Sequence, residues 1–144
     1  MRGTKDFRPM DMKAYLIDDR FWKNKMEVVR TKMIPYQWKA LNDLVEDAAP
    51  SHCVKNFRIA AGMEKGDFQG CVFQDSDLAK WLEAVGYTLA WKKDRELEQM
   101  ADEVIAVIEK AQQPDGYLDT YYIINGLEKR WTNLRDNHEL YCAG

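Results

Sequence analysis

The run Phe73-Gln74-Asp75-Ser76-Asp77-Leu78-Ala79-Lys80-Trp81-Leu82-Glu83, continued through Val85 to Leu89, decides the fold class. Leu78, Trp81, Leu82, Val85 and Leu89 fall on one face of an α-helix. Asp75 or Ser76 is the expected N-cap, and Asp77 sits in the first turn, where negative charge suits the positive helix end. The same period continues on both sides. Downstream, Asp94 is placed to cap a helix whose stripe is Leu97, Met100, Val104, Ile108 and Ala111, and Pro114-Asp115-Gly116 ends it as a turn. Upstream, Trp22, Met26, Val29 and Met33 mark a helix that begins near Asp19. Pro35, with no N–H to donate, is expected to break or restart it. Trp38, Leu41, Leu44, Val45 and Ala48 then mark a further helical segment, ended by Ala49-Pro50-Ser51.

Around these segments the pattern is weaker. Residues 1–13 read as an irregular lead-in, Ala14 to Ile17 as a short strand, and 53–62 as a short helix or irregular stretch closed by Gly62. Glu64 to Gly70 reads as a loop, and Tyr117 to Ile124 as an aromatic extended stretch ended by Asn125-Gly126. Asp136 or Asn137 is expected to open a last helix over His138 to Ala143. The fold class is all-α. The apolar stripes need more partners than four or five helices supply. Residues 14–144 are therefore expected to be the opening part of a larger all-helical domain, with a complete small bundle as the alternative.

Composition agrees. Of 144 residues, 46% are hydrophobic and 31% charged, and only 8 are glycine and 4 proline, which favours helix over disorder. Lys and Arg total 21 against 24 Asp and Glu, a net charge of −3 that argues against a nucleic-acid partner held by bulk charge. The longest apolar run, Val104 to Ile108, is far short of the ~20 residues a membrane span needs. The first residues are not followed by an apolar secretory core, so a cytoplasmic location is expected. Cys53, Cys71 and Cys142 form neither a disulfide framework nor a CxxC pair; reduced, buried thiols are expected.

The sequence carries no phosphate-binding loop, dinucleotide fingerprint, HExxH or GxSxG. Neither histidine has a second histidine or a cysteine at metal-ligand spacing. Three clusters remain. Phe73 to Asp77 is either a helix cap or the floor of a pocket, with Phe73 offering an apolar face to a sugar and Asp75 accepting from its hydroxyls. Gln112 to Tyr122 interleaves aromatics with Asp and Gln, which suits either carbohydrate or a turn followed by core rings. Asn137-His138-Glu139 puts a histidine at a helix start, as a structural residue or as a sugar ligand. An uncharged imidazole both donates to and accepts from hydroxyls.

Phe21-Trp22, Pro35-Tyr36-Gln37-Trp38, Phe73 to Glu83, Gln112 to Leu118 and His138-Glu139-Leu140-Tyr141, in that order, resemble the N-terminal part of glycoside hydrolase family 127, the β-L-arabinofuranosidases. The resemblance runs from about residue 15 to the end. It implies the N-terminal portion of an (α/α)6 barrel, six inner and six outer helices with the active site in a funnel at one end. It implies a whole enzyme that releases terminal L-arabinofuranose with retention from a glycan or oligosaccharide. The family's nucleophile is a cysteine thiolate in a zinc site of cysteines and a glutamate, and a second glutamate is the acid/base. These come from later in the barrel, and Cys53, Cys71 and Cys142 match none of them. The resemblance thus puts no catalytic residue and no zinc ligand in this chain, and the segment alone is expected to be inactive. His138 matches a substrate-binding histidine of the family, and Phe73 falls in a motif expected near the pocket. Two other readings remain: a non-catalytic helical carbohydrate-binding or interaction module, and another (α/α)6 carbohydrate enzyme with a carboxylate acid/base and no zinc.

Overall fold

A computed structural model describes residues 10–143; the regular elements among them are all helical, with no strand. The expected lead-in lies outside the described residues up to residue 9. Helix α1 (Arg20–Val28) starts as the sequence predicts, with the Asp19 carboxylate accepting from the Trp22 N–H at 2.8 Å. The chain stays helical across Pro35, which stands in the first turn of a restarted element. A π turn over Val29–Met33 precedes the proline, with the Ile34 N–H reaching the Val29 carbonyl, and α2 (Ile34–Leu41) continues directly. The wider turn makes room for a residue that cannot supply the usual hydrogen bond. Helix α2 stops earlier than expected, because Asp43 adopts a left-handed conformation (φ 60°) and Leu44, Val45 and Ala48 leave the helical register. The Asp43 carboxylate then accepts from the His52 N–H at 2.8 Å and closes the loop to α3 (Cys53–Ala60).

Two long helices form the frame. Helix α4 (Asp75–Trp91) and helix α5 (Arg95–Ala111) are antiparallel neighbours, joined where Asp94 caps α5 by accepting from the Leu97 N–H at 3.2 Å. Helix α2 packs on α4, and α3 packs on α4, α5 and α6. Ile34, Leu41, Val54, Phe57, Leu78, Trp81, Val85, Leu97 and Val104 form the core. Trp81 is fully enclosed; its ring lies 4.7 Å from that of Trp38, and its indole N–H donates to the Ile34 carbonyl at 3.1 Å. Arg30 links α1 to the α4–α5 junction through Glu27 (2.8 Å) and Asp94 (2.9 Å).

Three expectations fail for stated reasons. Ala14 to Ile17 is not a strand: Met12–Ala14 is a 3-10 turn, and the described residues include no strand to pair the backbone that follows. Tyr117 to Ile124 is not extended throughout. Asp119 accepts from the Tyr121 and Tyr122 N–H groups at 3.0 and 3.4 Å and starts helix α6 (Thr120–Asn125), so the cap overrides the strand preference of the rings. The last helix, α7 (Glu139–Ala143), begins one residue after His138, which itself has φ 49°. The stripe of α1 is also only partly buried: Trp22 and Met33 are exposed, and Trp22, Met26 and Val29 border, with residues 12–17 and one face of α4, an open apolar groove of about 670 Å³.

Candidate functional site

The turn before α4 holds Phe73 outward. Gly70 opens it at φ 94°, where a Cβ would lie 3.2 Å from the Ser51 carbonyl oxygen, so only glycine fits. Gln74 braces the turn, donating from its amide to Ser51 Oγ at 2.9 Å and accepting from the Cys71 N–H at 3.0 Å. The Phe73 ring, 36% exposed, meets the His138 ring edge-on at 5.2 Å and faces Tyr141 at 6.5 Å. Lys80, two turns into α4, sits 4.7 Å from the Tyr141 ring centroid, and its hydrogen bond to Tyr141 raises its pKa. Phe73 and His138, 65 residues apart in sequence, therefore share one exposed wall with Tyr141 and Lys80.

Behind this wall lie three buried carboxyls, Asp75, Asp119 and Glu139. Asp75 is neither an N-cap nor a ligand facing a cavity. Gln74 takes the cap position, and both Asp75 oxygens are engaged by Thr120, one by its N–H and one by its hydroxyl, each at 2.6 Å. Ser76, the other residue expected to cap, also lies inside the helix. Burial pushes the Asp75 carboxyl above its usual range, against the pull of the two Thr120 bonds. Asp119 caps α6 with one oxygen and leaves the other, buried, without a partner. Burial, the neighbouring Asp75 and, more weakly, Glu139 push Asp119 up to about 7. Glu139 accepts from the Tyr117 hydroxyl and from the Trp131 N–H, the latter at 2.7 Å.

The Gln112 to Tyr122 cluster is a turn and core rings rather than a sugar surface. Tyr117 and Tyr122 are buried, and the Gln112 and Gln113 amides donate to backbone carbonyls of the turn. Burial and the bond to Glu139 hold the Tyr117 phenol protonated well above its ordinary range. Asn137 donates to the Tyr122 hydroxyl at 2.8 Å, so the cluster acts as the bed on which the His138 loop rests.

Glycoside hydrolysis needs a nucleophile or base and an acid/base flanking an open sugar site, most often two carboxyls. The three described above all point inward, and none of them lines the Phe73–His138 wall. Of the thiols, Cys53 is buried as expected and Cys71 is exposed, contrary to expectation. Burial pushes Cys53 up, and it pushes Cys142 up to about 12, the opposite of what a thiolate nucleophile needs. No group of three His, Cys, Asp or Glu side chains among the described residues is arranged to hold a metal, so these residues do not fit a zinc site. Glu139, Tyr141 and Lys80 fall inside the stretches the sequence marks, but none is assigned a role there. Tyr141 lies three residues beyond His138, a spacing that puts both on one side of the α7 start, and that is the signal that could have found it.

Residues 16–144 match the GH127 catalytic domain of β-L-arabinofuranosidases. The chain is similar to a non-reducing end β-L-arabinofuranosidase of Bifidobacterium longum subsp. longum, with 39% identity over 89% of this chain and 22% of that protein. Its structure is similar to that of a GH127 β-L-arabinofuranosidase from Geobacillus stearothermophilus T6, with 63% identity, a TM-score of 0.85, and coverage of 88% of this chain and 20% of that one. A second solved structure, a GH127 β-arabinofuranosidase, shares 25% identity at a TM-score of 0.76, over 93% of this chain and 22% of that one. The chain thus spans about a fifth of the length of these relatives.

Proposed function

We propose, from the premise that this chain belongs to the GH127 catalytic-domain family of β-L-arabinofuranosidases, that it forms one wall of the sugar pocket of such an enzyme. In this reading residues 14–144 are the N-terminal portion of an (α/α)6 barrel. The whole protein releases terminal L-arabinofuranose from a glycan or oligosaccharide with retention. His138 hydrogen-bonds a sugar hydroxyl, and the exposed Phe73 ring packs on the C–H face of the same sugar. The observation that carries the reading is the edge-on meeting of these two exposed rings at 5.2 Å. Two residues singled out for separate reasons lie side by side, on the surface rather than in the core. The zinc and reacting groups that the family resemblance implies would come from outside this segment, since its own cysteines and carboxyls do not fit those roles.

The test is His138→Ala in the whole protein, assayed on an aryl β-L-arabinofuranoside. Loss of one hydrogen bond to the sugar is worth ~1–3 kcal/mol, so kcat/KM is expected to fall about 10- to 100-fold. His138 is exposed and its side chain makes no hydrogen bond among the described residues, so Tm is expected to move little. Near-normal kinetics with a large drop in Tm would give His138 a structural role instead. Retention of sugar binding without any turnover in the unmutated protein would favour the non-catalytic module.

A further inference from the structure

We propose that Glu139 is a positioning residue: its buried carboxylate ties the loop Trp131–His138 shut and so fixes the direction in which His138 faces the sugar. This rests on the sugar-binding reading of His138 above. The loop has two strained ends. Trp131 and His138 both adopt left-handed backbone conformations, at φ 66° and 49°, which side-chain-bearing residues hold only when their surroundings impose it. Glu139 supplies that constraint at both ends. It follows His138 directly, so its own anchoring sets the peptide that carries His138. One carboxylate oxygen accepts from the Trp131 N–H at 2.7 Å, which closes the loop on itself. The other accepts from the buried Tyr117 hydroxyl, which fixes the loop to the turn between α5 and α6.

The rest of the bed is consistent with one anchor point. Trp131 packs edge-on to Tyr117 at 5.3 Å, and Arg130 bonds Asp115 at 2.7 Å in the same turn. Glu139 is fully enclosed, so it cannot touch a sugar; its influence must pass through the residue beside it. A carboxylate suits the task better than an amide, because it accepts at both oxygens. A glutamine in its place would present an N–H to either the Trp131 N–H or the Tyr117 hydroxyl.

A double-mutant cycle on the whole protein separates positioning from simple support. The enzymes are wild type, Glu139→Gln, His138→Ala and the double variant, and the readout is kcat/KM on an aryl β-L-arabinofuranoside with Tm measured alongside. A residue that acts through another adds nothing once that other is gone. Glu139→Gln is therefore expected to lower kcat/KM about tenfold in wild type and by less than about twofold in the His138→Ala background. Equal losses in both backgrounds would overturn the positioning role while leaving His138 as a sugar ligand. An unchanged kcat/KM in His138→Ala would overturn the sugar-binding reading itself, and this proposal with it. If Glu139→Gln does not give folded protein, Tyr117→Phe, which removes one of the two anchors and leaves the carboxylate in place, is carried through the same cycle with the same criterion.

Discussion

Asp119 shows how a single residue can serve the fold at a cost. One oxygen starts α6, and the other is buried with no partner, next to Asp75 and near Glu139. The groups facing it are two further carboxyls, the Tyr117 and Tyr122 phenols and the Cys142 thiol, with no cation among the causes of its shift. The protonated form is favoured in the folded state. Its pKa there is about 7 against an ordinary 3.8, so the folded state holds more protons across that window, and stability falls as pH rises from about 4 to about 7. Asp119→Asn keeps the cap and removes the charge. Protection of the Tyr121 and Tyr122 amides in hydrogen exchange, corrected for intrinsic rates, is expected to decline over that window in wild type, by up to roughly 2–4 kcal/mol, and to be much flatter in the variant. An equal decline in both would assign the pH response to Asp75 alone. At this scale the sequence shows residue types but not their facing. Phe73 and His138 are legible as candidates, whereas Asp75 reads as a cap or a ligand and proves to be a buried partner of Thr120, 45 residues away. No local pattern encodes a contact of that range.

Among the elements, the long helices are the legible part. Their apolar period, the Asp94 cap and a helix start near Asp19 are local properties; the Asp94 cap forms as read, and the start at Asp19 proves to be a cap as well. The errors fall where a local preference meets a competing local signal: the Tyr117–Ile124 rings against the Asp119 cap, and the stripe beyond Leu41 against the left-handed Asp43. Asp94 offers a test of how caps and pairs divide the work. It caps α5 and also bonds Arg30 across 64 residues. Asp94→Asn keeps a good cap and loses the ion pair; Asp94→Ala loses both. The expected order of stability is wild type, then Asn by a few tenths of a kcal/mol, then Ala by ~1–2 kcal/mol. Thermal melts of the whole protein, or hydrogen exchange at the Leu97 amide, measure it. An alanine variant as stable as the asparagine variant would show that the cap contributes little.

For the whole molecule, the apolar stripes predict more helical surface than the segment itself covers. Trp22, Leu16, Phe21 and Met33 stand exposed, and the groove between residues 12–17, α1 and α4 is open and apolar. Relatives about five times as long share this fold over most of its residues. The sugar wall lies elsewhere, where the turn before α4 meets the loop before α7. There Phe73 and His138 are proposed to hold an arabinofuranosyl unit between them. A crystal structure of the whole protein with L-arabinose or a β-L-arabinofuranosyl ligand bound tests it most directly. The expected result is a His138 ring nitrogen within about 3.2 Å of a sugar hydroxyl and the Phe73 ring about 4 Å from the sugar's C–H face. A ligand bound in the pocket with neither ring in contact, or a His138 nitrogen bonded to a protein carbonyl in its place, would contradict it.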